Sequence, residues 1–238
     1  MRPARFHSWN LTPREASAIQ DTLRDKVKTC PLPKRIQLIA GADVSFDIGS
    51  DLVHAAVVVL RFPELTLVEY CSSTEKVTFP YIPGLLAFRE GPPVVHAFQK
   101  LENTPDVVMF DAHGVSHPRR FGLASHLGVI FDLPSIGVAK KVLVGSFNKM
   151  KKERGNHSTL MDGEEEIGLA LHTKDSVNPV FISVGHRSDL HSSMDIVLSC
   201  ATKYRIPEPT RQADIIVNSL RKGDEIDLDI DGGQTNLF

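Results

Sequence analysis

The sequence has few cysteines and no long hydrophobic run. Cys30, Cys71 and Cys200 are odd in number, widely spaced and without a CxxC pairing, which argues against a disulfide framework and against a zinc knuckle. Apolar runs such as residues 55–60 are too short to span a bilayer, and the first residues lack the apolar core of a signal peptide. These absences predict a soluble, cytoplasmic protein without a membrane partner.

The sequence also lacks an excess of positive charge. Its formal net charge is −2, which argues against a nucleic-acid partner. However, residues 224–238 hold five of the 29 acids and no base, so the remaining residues carry 27 bases against 24 acids. Local basic clusters there are able to contact phosphates, and they comprise Arg119-Arg120, Lys140-Lys141, residues 149–154 and residues 203–211.

The hydrophobic pattern predicts one α/β domain over residues 1–223, followed by a flexible acidic tail over 224–238. After a first helix at Pro13, three strand-like stretches are joined by short turns, as in an antiparallel meander, and they cover about 36–46, 53–62 and 65–77. Helices and strands then alternate, which predicts parallel strands covered by helices. In this second half, Gly91-Pro92-Pro93 is expected to separate two short helices, and residues 146–165 are expected to be a polar surface excursion.

Two acids interrupt apolar runs that are typical of strands. Asp43 lies within residues 38–44, and Asp111 ends residues 107–111. Aspartate is depleted in strands, and burying a carboxylate is costly unless it is paired or bound to a metal. Mg²⁺ typically binds one or two protein carboxylates and keeps water and substrate phosphate in its other positions. The two acids therefore predict a shared cation, most simply Mg²⁺.

Five segments, in this order along the chain, resemble the endonuclease V family. They are Ile39-Ala40-Gly41-Ala42-Asp43-Val44-Ser45-Phe46, Pro80-Tyr81-Ile82-Pro83-Gly84-Leu85-Leu86-Ala87-Phe88-Arg89-Glu90, Asp111-Ala112-His113-Gly114-Val115-Ser116-His117-Pro118-Arg119, Ile136-Gly137-Val138-Ala139-Lys140-Lys141 and Arg205-Ile206-Pro207-Glu208-Pro209-Thr210-Arg211. A chance match to one segment is plausible, and a match to all five is not. The resemblance implies a ribonuclease H-like α/β fold, with a mixed sheet of an antiparallel three-strand meander plus parallel strands, flanked by helices.

The resemblance also implies an activity and a metal site. The activity is that of a Mg²⁺-dependent repair endonuclease, for which Mn²⁺ can substitute, acting on DNA that contains inosine. It cuts the second phosphodiester on the 3′ side of the inosine and leaves a 3′-hydroxyl and a 5′-phosphate. The family's metal-site carboxylates match Asp43, Asp111 and Glu90, with Glu90 binding directly or through water. A fourth position matches Asp214, where some members carry histidine. Separately, we expect the protein to be a monomer.

The resemblance assigns further roles to single residues. Lys140 is matched to a catalytic lysine near the scissile phosphate, and Tyr81 to an aromatic wedge that fills the gap left by a flipped base. The remaining residues implied to bind the substrate are Pro80, Ile82, Pro83, Gly84 and His117.

Local sequence leaves simpler interpretations open for three of these residues. Tyr81 can instead pack a tight turn between its flanking prolines. Lys140 can belong to an exposed pair at a strand end. Asp214 can complement the dipole of a helix capped by Thr210, without any catalytic role.

Three other functions also remain open. The substrate can be inosine in RNA, since the contact that distinguishes a 2′-hydroxyl is not readable from the sequence. The chain can be a catalytically silent nucleic-acid-binding module, although the presence of all the acids opposes this. A metal-dependent phosphatase acting on small molecules is the third, and the wedge-like loop argues against it.

Overall fold

An eight-stranded mixed sheet forms the centre of the protein. This computed structural model describes residues 1–4, 7–47 and 49–226, so most of the expected acidic tail, residues 227–238, lies outside the described residues. The strands are β1 Leu38–Phe46, β2 Leu52–Arg61, β3 Thr66–Lys76, β4 Val107–Phe110, β5 Ser135–Ala139, β6 His157–Asp162, β7 Glu165–Leu171 and β8 Val180–His186. The helices are α1 Pro13–Leu23, α2 Leu86–Gln99, α3 Leu123–Phe131, α4 Leu190–Cys200 and α5 Glu208–Lys222, with one 3₁₀ turn at Arg24–Lys26.

The sheet order is β3-β2-β1-β4-β5-β8-β7-β6. Strands β1 to β3 form the predicted antiparallel meander. Strands β1, β4 and β5 are parallel, as the alternation of helices and strands predicts. The last three strands are antiparallel to their neighbours, so the parallel part is confined to the middle of the sheet.

The prediction that residues 146–165 form only a surface excursion is wrong, because they contain the edge strand β6. Only Leu160 of this strand is buried, and the other five residues are at least partly exposed. An edge strand needs few apolar residues, because one side and one face meet solvent. The hydrophobic run that identifies a central strand is therefore missing here.

The prediction of two helices separated at Gly91-Pro92-Pro93 is also wrong, because α2 continues through these residues. A proline inside a helix cannot donate to the carbonyl four residues earlier, and this cost predicts a break. Packing outweighs it: a Cβ added at Gly91 would lie 2.8 Å from the Trp9 ring, and the carbonyl of Pro93 accepts a hydrogen bond from Ser73 Oγ at 2.7 Å. Glu90 therefore lies within a helix and not at its end.

The sheet is covered on both faces. Alternate residues of the central strands face α2 and α3 on one side, as Ala40, Val108 and Phe110 do. The intervening residues face α4 and α5, as Ile39 and Met109 do. Because successive strand residues point to opposite faces, this alternation also fixes the face on which each strand-end residue lies. Within the described residues, no helix is long and apolar enough to cross a membrane.

Candidate active site

Asp43 and Asp111 lie side by side at the carboxyl ends of two adjacent parallel strands. Ala42 of β1 is paired with Phe110 of β4, so the two acids follow at the same level. The backbone N–H of Asp111 donates to the carbonyl of Ala42 at 3.3 Å. By the alternation along each strand, both side chains lie on the face covered by α5. The pairing inferred from the two interrupted apolar runs is therefore present.

Lys140 joins this pair from the third parallel strand. Gly137 of β5 is paired with Phe110, so Lys140 follows the end of β5 on the same face as the two acids. Its Nζ contacts Asp111 Oδ2 and lies 3.9 Å from Asp214 Oδ1. Lys140 and Lys141 are both exposed at the strand end, as the simpler interpretation states, and Lys140 is in addition part of an ion-pair cluster.

Asp214 reaches the cluster from α5, which begins earlier than the sequence predicts. The helix starts at Glu208, and the Thr210 hydroxyl donates within its first turn to the carbonyl of Pro207 at 3.1 Å. Thr210 is therefore not the N-cap, and Asp214 lies beyond the first turn, where the helix dipole has little effect. The dipole interpretation of Asp214 is wrong, because the helix start is set by Pro207 and not by Thr210.

Gly41 determines how closely α5 approaches the strand that carries Asp43. A Cβ added at Gly41 would lie 2.0 Å from the carbonyl carbon of Pro209, so the helix rests directly on bare strand backbone. Farther along the same strand and face, Ser45 Oγ donates to Asn218 Oδ1 at 3.3 Å. These two contacts, before and after Asp43, hold α5 along β1.

Burial makes the acids at this end of the sheet difficult to ionise together. It raises the pKa of Asp43 to about 9, and the nearby charge of Asp111 acts in the same direction. Burial also raises the pKa of Asp111, against the attraction of Lys140. Glu90 approaches from α2, and burial, followed by the charge of Asp111, raises its pKa to about 8. The cluster therefore favours an added positive charge.

Lys140 supplies only part of that charge. Burial lowers the pKa of Lys140, but the surrounding carboxylates, Asp111 first, outweigh this and keep the pKa above its ordinary value. One ammonium therefore stands beside several acids. The donor set contains only carboxylate oxygens, which suit a hard divalent cation. Among the described residues, no three Asp, Glu, His or Cys side chains are grouped so that they could hold a metal ion between them.

A cavity of about 120 Å³ opens beside the loop of residues 80–84. Its lining includes Tyr81, Ile82, Gly84, Ala87, His113, His117, Leu123 and Leu143. The Tyr81 side chain is 71% exposed. It does not pack into its own turn, so the turn-packing interpretation of this residue is wrong.

The loop is anchored at Gly84. Its φ of +82° lies in the left-handed region that favours glycine. Its carbonyl accepts hydrogen bonds from Gln20 Nε2 at 2.9 Å and from His117 Nε2 at 3.0 Å. Ile82 packs against the cluster of Ala16, Phe79, Leu85 and Phe88 beneath the loop. The exposed Tyr81 is therefore carried on a fixed support, between Pro80 and Pro83, which are both exposed.

His117 is a support for this loop in the structure. Its Nδ1 accepts from the backbone N–H of Arg119 at 3.1 Å, so both ring nitrogens are engaged. Burial lowers the pKa of His117 to about 4, and burial likewise lowers the pKa of His113 to about 4. A neutral ring with both nitrogens occupied holds the loop without adding a charge.

Sequence reasoning missed three residues of this region. Gln20 lies on the apolar face of α1, four residues after Ala16, and a polar residue at such a position is a readable signal of a buried contact. Arg205 lies in a segment that resembles the family, and its Nη2 donates to the carbonyls of Lys140 at 3.0 Å and Pro179 at 2.7 Å. Leu143, 41% exposed at the cavity, carries no sequence signal.

Comparison with known proteins gives the same assignment over most of the chain. The family model described as Endonuclease V matches residues 21–215. The endonuclease V of Roseiflexus castenholzii is 45% identical over 221 residues, which cover 93% of this chain and 99% of that protein.

Solved structures support the same family assignment. The crystal structure of endonuclease V from Streptomyces avermitilis superposes with a TM-score of 0.86 at 44% identity, covering 91% of this chain and 96% of that one. The endonuclease V of Ciona intestinalis, in complex with a 24mer DNA containing an inosine followed by a ribo-adenosine, superposes with a TM-score of 0.78 at 31% identity and covers 88% of this chain and 98% of that one. The predicted ribonuclease H-like mixed α/β fold is confirmed. The chain belongs to the endonuclease V family and is an endodeoxyribonuclease.

Proposed function

We propose that this endonuclease repairs DNA that contains inosine, cutting the second phosphodiester on the 3′ side of the lesion with Mg²⁺ and leaving a 3′-hydroxyl and a 5′-phosphate. The observation that carries the proposal is a cavity lined both by the exposed Tyr81 and by Ala112 and His113, which directly follow Asp111 of the carboxylate cluster. Inosine in the DNA bound to the Ciona relative supports the choice of lesion. The distance between lesion and cut rests on the family resemblance.

Asp43 and Asp111 are the residues that would hold the metal directly, with Glu90 and Asp214 acting through water or at a second position. The adjacency of Asp43 and Asp111 at the ends of two paired strands supports this division. A bound Mg²⁺ would supply an activated water and charge stabilisation for the attacking and leaving oxygens. Mn²⁺, with the same preference for oxygen ligands, can take its place.

Lys140 would then stabilise negative charge on the reacting phosphate. Its Nζ already contacts Asp111, so a phosphate that approaches the metal ligands also approaches the ammonium group. Arg205 holds the backbone of Lys140 through the carbonyl contact of 3.0 Å, which fixes the base of the side chain. A preorganised positive group costs little reorganisation as charge develops in the transition state.

The cavity would receive the flipped base while Tyr81 fills the gap in the duplex. Flipping costs a few kcal/mol and least for a weakly paired base, so poor pairing of inosine aids its selection. A wedge needs a stiff support. The two hydrogen bonds to the Gly84 carbonyl supply such a support.

The decisive experiment uses a labelled duplex with one inosine, incubated with Mg²⁺ or with a chelator, followed by mapping of the cut. We expect cleavage only with Mg²⁺ and only at the second bond 3′ to inosine. Cleavage of an undamaged duplex at the same rate would reject lesion recognition, and cleavage elsewhere would reject the position.

Inosine in RNA is the second candidate, favoured by one observation: the DNA bound to the Ciona relative carries a ribo-adenosine after the inosine. A 2′-hydroxyl at that position is therefore tolerated by that relative. Matched DNA and RNA oligonucleotides of one sequence, each with a single inosine, would rank the two substrates by their cleavage rates.

Tyr81→Ala is expected to weaken binding to inosine-containing duplex by about five- to hundredfold, because stacking of a ring on a base is worth roughly 1–3 kcal/mol. Tyr81→Phe, the matched control, should lose much less, since a wedge needs the ring more than the hydroxyl. Binding to inosine-containing and undamaged duplexes is compared with Ca²⁺ in place of Mg²⁺ to suppress cutting. If the alanine variant keeps its full preference for inosine, Tyr81 is not the wedge.

A further inference from the structure

Two connections between strands form a basic surface beside the cluster of Asp111 and Lys140. They are residues 141–156, between β5 and β6, and residues 172–179, between β7 and β8, and together we call them the basic ridge. They hold six bases against two acids, a net charge of +4, although the whole chain has a net charge of −2. The rest of the chain is therefore acidic, and positive charge is concentrated here.

The strand directions place both connections at the catalytic end of the sheet. Strand β5 ends next to Lys140, and Ala139 is paired with Phe181 near the start of the antiparallel β8. The end of β7 is paired with the start of β8, and the start of β6 with the end of β7. The ridge therefore extends from Lys140 across β8 and β7 to the edge strand β6.

Hydrogen bonds join the two connections into one surface. The N–H of Ser176 donates to the carbonyl of Lys152 at 2.8 Å, and the N–H of Gly155 donates to the carbonyl of His172 at 2.8 Å. The Arg154 guanidinium donates to the carbonyls of Thr173 at 3.0 Å and Leu198 at 2.9 Å. Arg154 is thus occupied in holding the ridge together, and it keeps its charge while doing so.

Lys149 and Lys151 are two cations of the ridge that are available to a partner. Both are exposed, and within the described part of the chain the Lys151 ammonium has only a loose pair with Glu153, at 4.0 Å between two largely exposed side chains. Exposed pairs of this kind contribute little and are easily exchanged. Lysines presented on a fixed surface beside a phosphodiester-cleaving site suit the phosphates of a nucleic-acid strand.

We propose that the basic ridge binds the phosphate backbone of the substrate outside the lesion, independently of sequence, and thereby supplies much of the salt-sensitive affinity. The inference rests on the proposed function, because it takes the ligand to be the same nucleic acid that is cut. The distance across the sheet from β5 to β6 is three strand spacings of about 4.8 Å, or ~14 Å. At 3.4 Å per base pair this reach covers ~4 base pairs of flanking duplex.

The test compares the double variant Lys149→Ala/Lys151→Ala with the charge-matched control Lys34→Ala/Arg35→Ala. The control residues are also exposed but precede β1, at the opposite end of the sheet. Binding to a labelled duplex is measured in chelator between about 50 and 200 mM salt. The ridge variant should lower the slope of log K against log salt by about two and weaken binding roughly tenfold or more at about 0.1 M salt. The control should titrate like the wild type, and single-turnover cutting at saturating enzyme should be unchanged in both.

Two further duplexes, each shortened on one side of the inosine, show which flank contacts the basic ridge. Shortening the flank that lies on the ridge should weaken binding by the wild type and leave the ridge variant unaffected, whereas shortening the other flank should affect both equally. A ridge variant that titrates like the control, or that responds to both truncations like the wild type, would overturn the proposal.

Inosine-containing and undamaged duplexes are tested in parallel, and the ridge should contribute equally to both. Ridge-dependent binding without cutting at inosine would reject the proposed function alone. Normal cutting without ridge-dependent binding would reject the ridge alone.

Discussion

Asp43→Asn is expected to abolish Mg²⁺-dependent cleavage and to stabilise the protein when metal is removed by a chelator. The loss of activity should be at least ~10²-fold, because a metal site supplies several kcal/mol of transition-state stabilisation and each 1.36 kcal/mol is tenfold in rate. The gain in stability follows from the buried carboxyl, whose pKa burial raises to about 9. A neutral amide of nearly the same shape removes the cost of ionising that group.

The raised pKa of Asp43 makes the stability of the wild-type protein depend on pH. The unfolded chain releases the Asp43 proton near its ordinary pKa of 3.8, whereas the folded chain keeps it until about pH 9. Between these values the folded state binds more protons, so its stability falls as the pH rises. At neutral pH we expect Asp43→Asn to raise the free energy of unfolding by about 1–3 kcal/mol. This is less than the full ~1.4 kcal/mol for each unit by which the pKa is raised.

Single-turnover cutting and thermal melting in chelator, at several pH values, check both parts. Asp51→Asn is the matched control, since Asp51 is an exposed acid at the start of β2, away from the cluster. The stability gained by Asp43→Asn relative to wild type should grow from pH 4 towards pH 9. Near-normal cutting would reject Asp43 as a metal ligand, and a loss of stability at every pH would reject the electrostatic account.

Gly41→Ala is expected to destabilise the protein by about 3 kcal/mol or more, since overpacking typically costs 1–3 kcal/mol and the clashing atoms here belong to backbone. The added Cβ would lie 2.0 Å from the carbonyl carbon of Pro209 and 2.1 Å from its oxygen. Relief requires α5 to move away from β1. Asp214 would move with it, so cleavage should fall even at temperatures where the variant remains folded.

Ser45→Ala is the control on the same strand and face, because it removes the hydrogen bond to Asn218 without adding volume. Its cost should be about 1 kcal/mol. The free energy of unfolding by denaturant and the cleavage rate are measured for both variants. A Gly41→Ala protein as stable and active as Ser45→Ala would show that the close approach of α5 is not required.

The sequence predicts the strands that carry Asp43 and Asp111 well because their signals are local and strong. Asp43 and Asp111 stand out against apolar runs, and alternation along the strands then determines their common face. The start of α5 is harder, because Thr210 is a good N-cap by type while Pro207 occupies that position in the structure. Local capping preference and tertiary packing favour different residues there, and packing determines the result.

Other features depend on contacts between distant segments and therefore leave no local signal. Helix α2 tolerates its two prolines because Trp9 packs on Gly91, a contact between residues 82 positions apart. The basic cluster at residues 149–154 is visible in the sequence, but only the order of β8, β7 and β6 shows that it shares one surface with Lys174 and lies beside Lys140. Leu143 lines the cavity through the same long-range arrangement.

The anchoring of the loop that carries Tyr81 has a practical consequence. The Gly84 carbonyl is held by Gln20 and His117, and neither residue is one of the four acids proposed to hold the metal. In the proposed mechanism, replacing Asp43 therefore removes no contact that holds the loop. An Asp43→Asn protein would serve as an affinity reagent that retains inosine-containing strands from a mixture without cutting them, and its immobilised form would enrich such strands for sequencing.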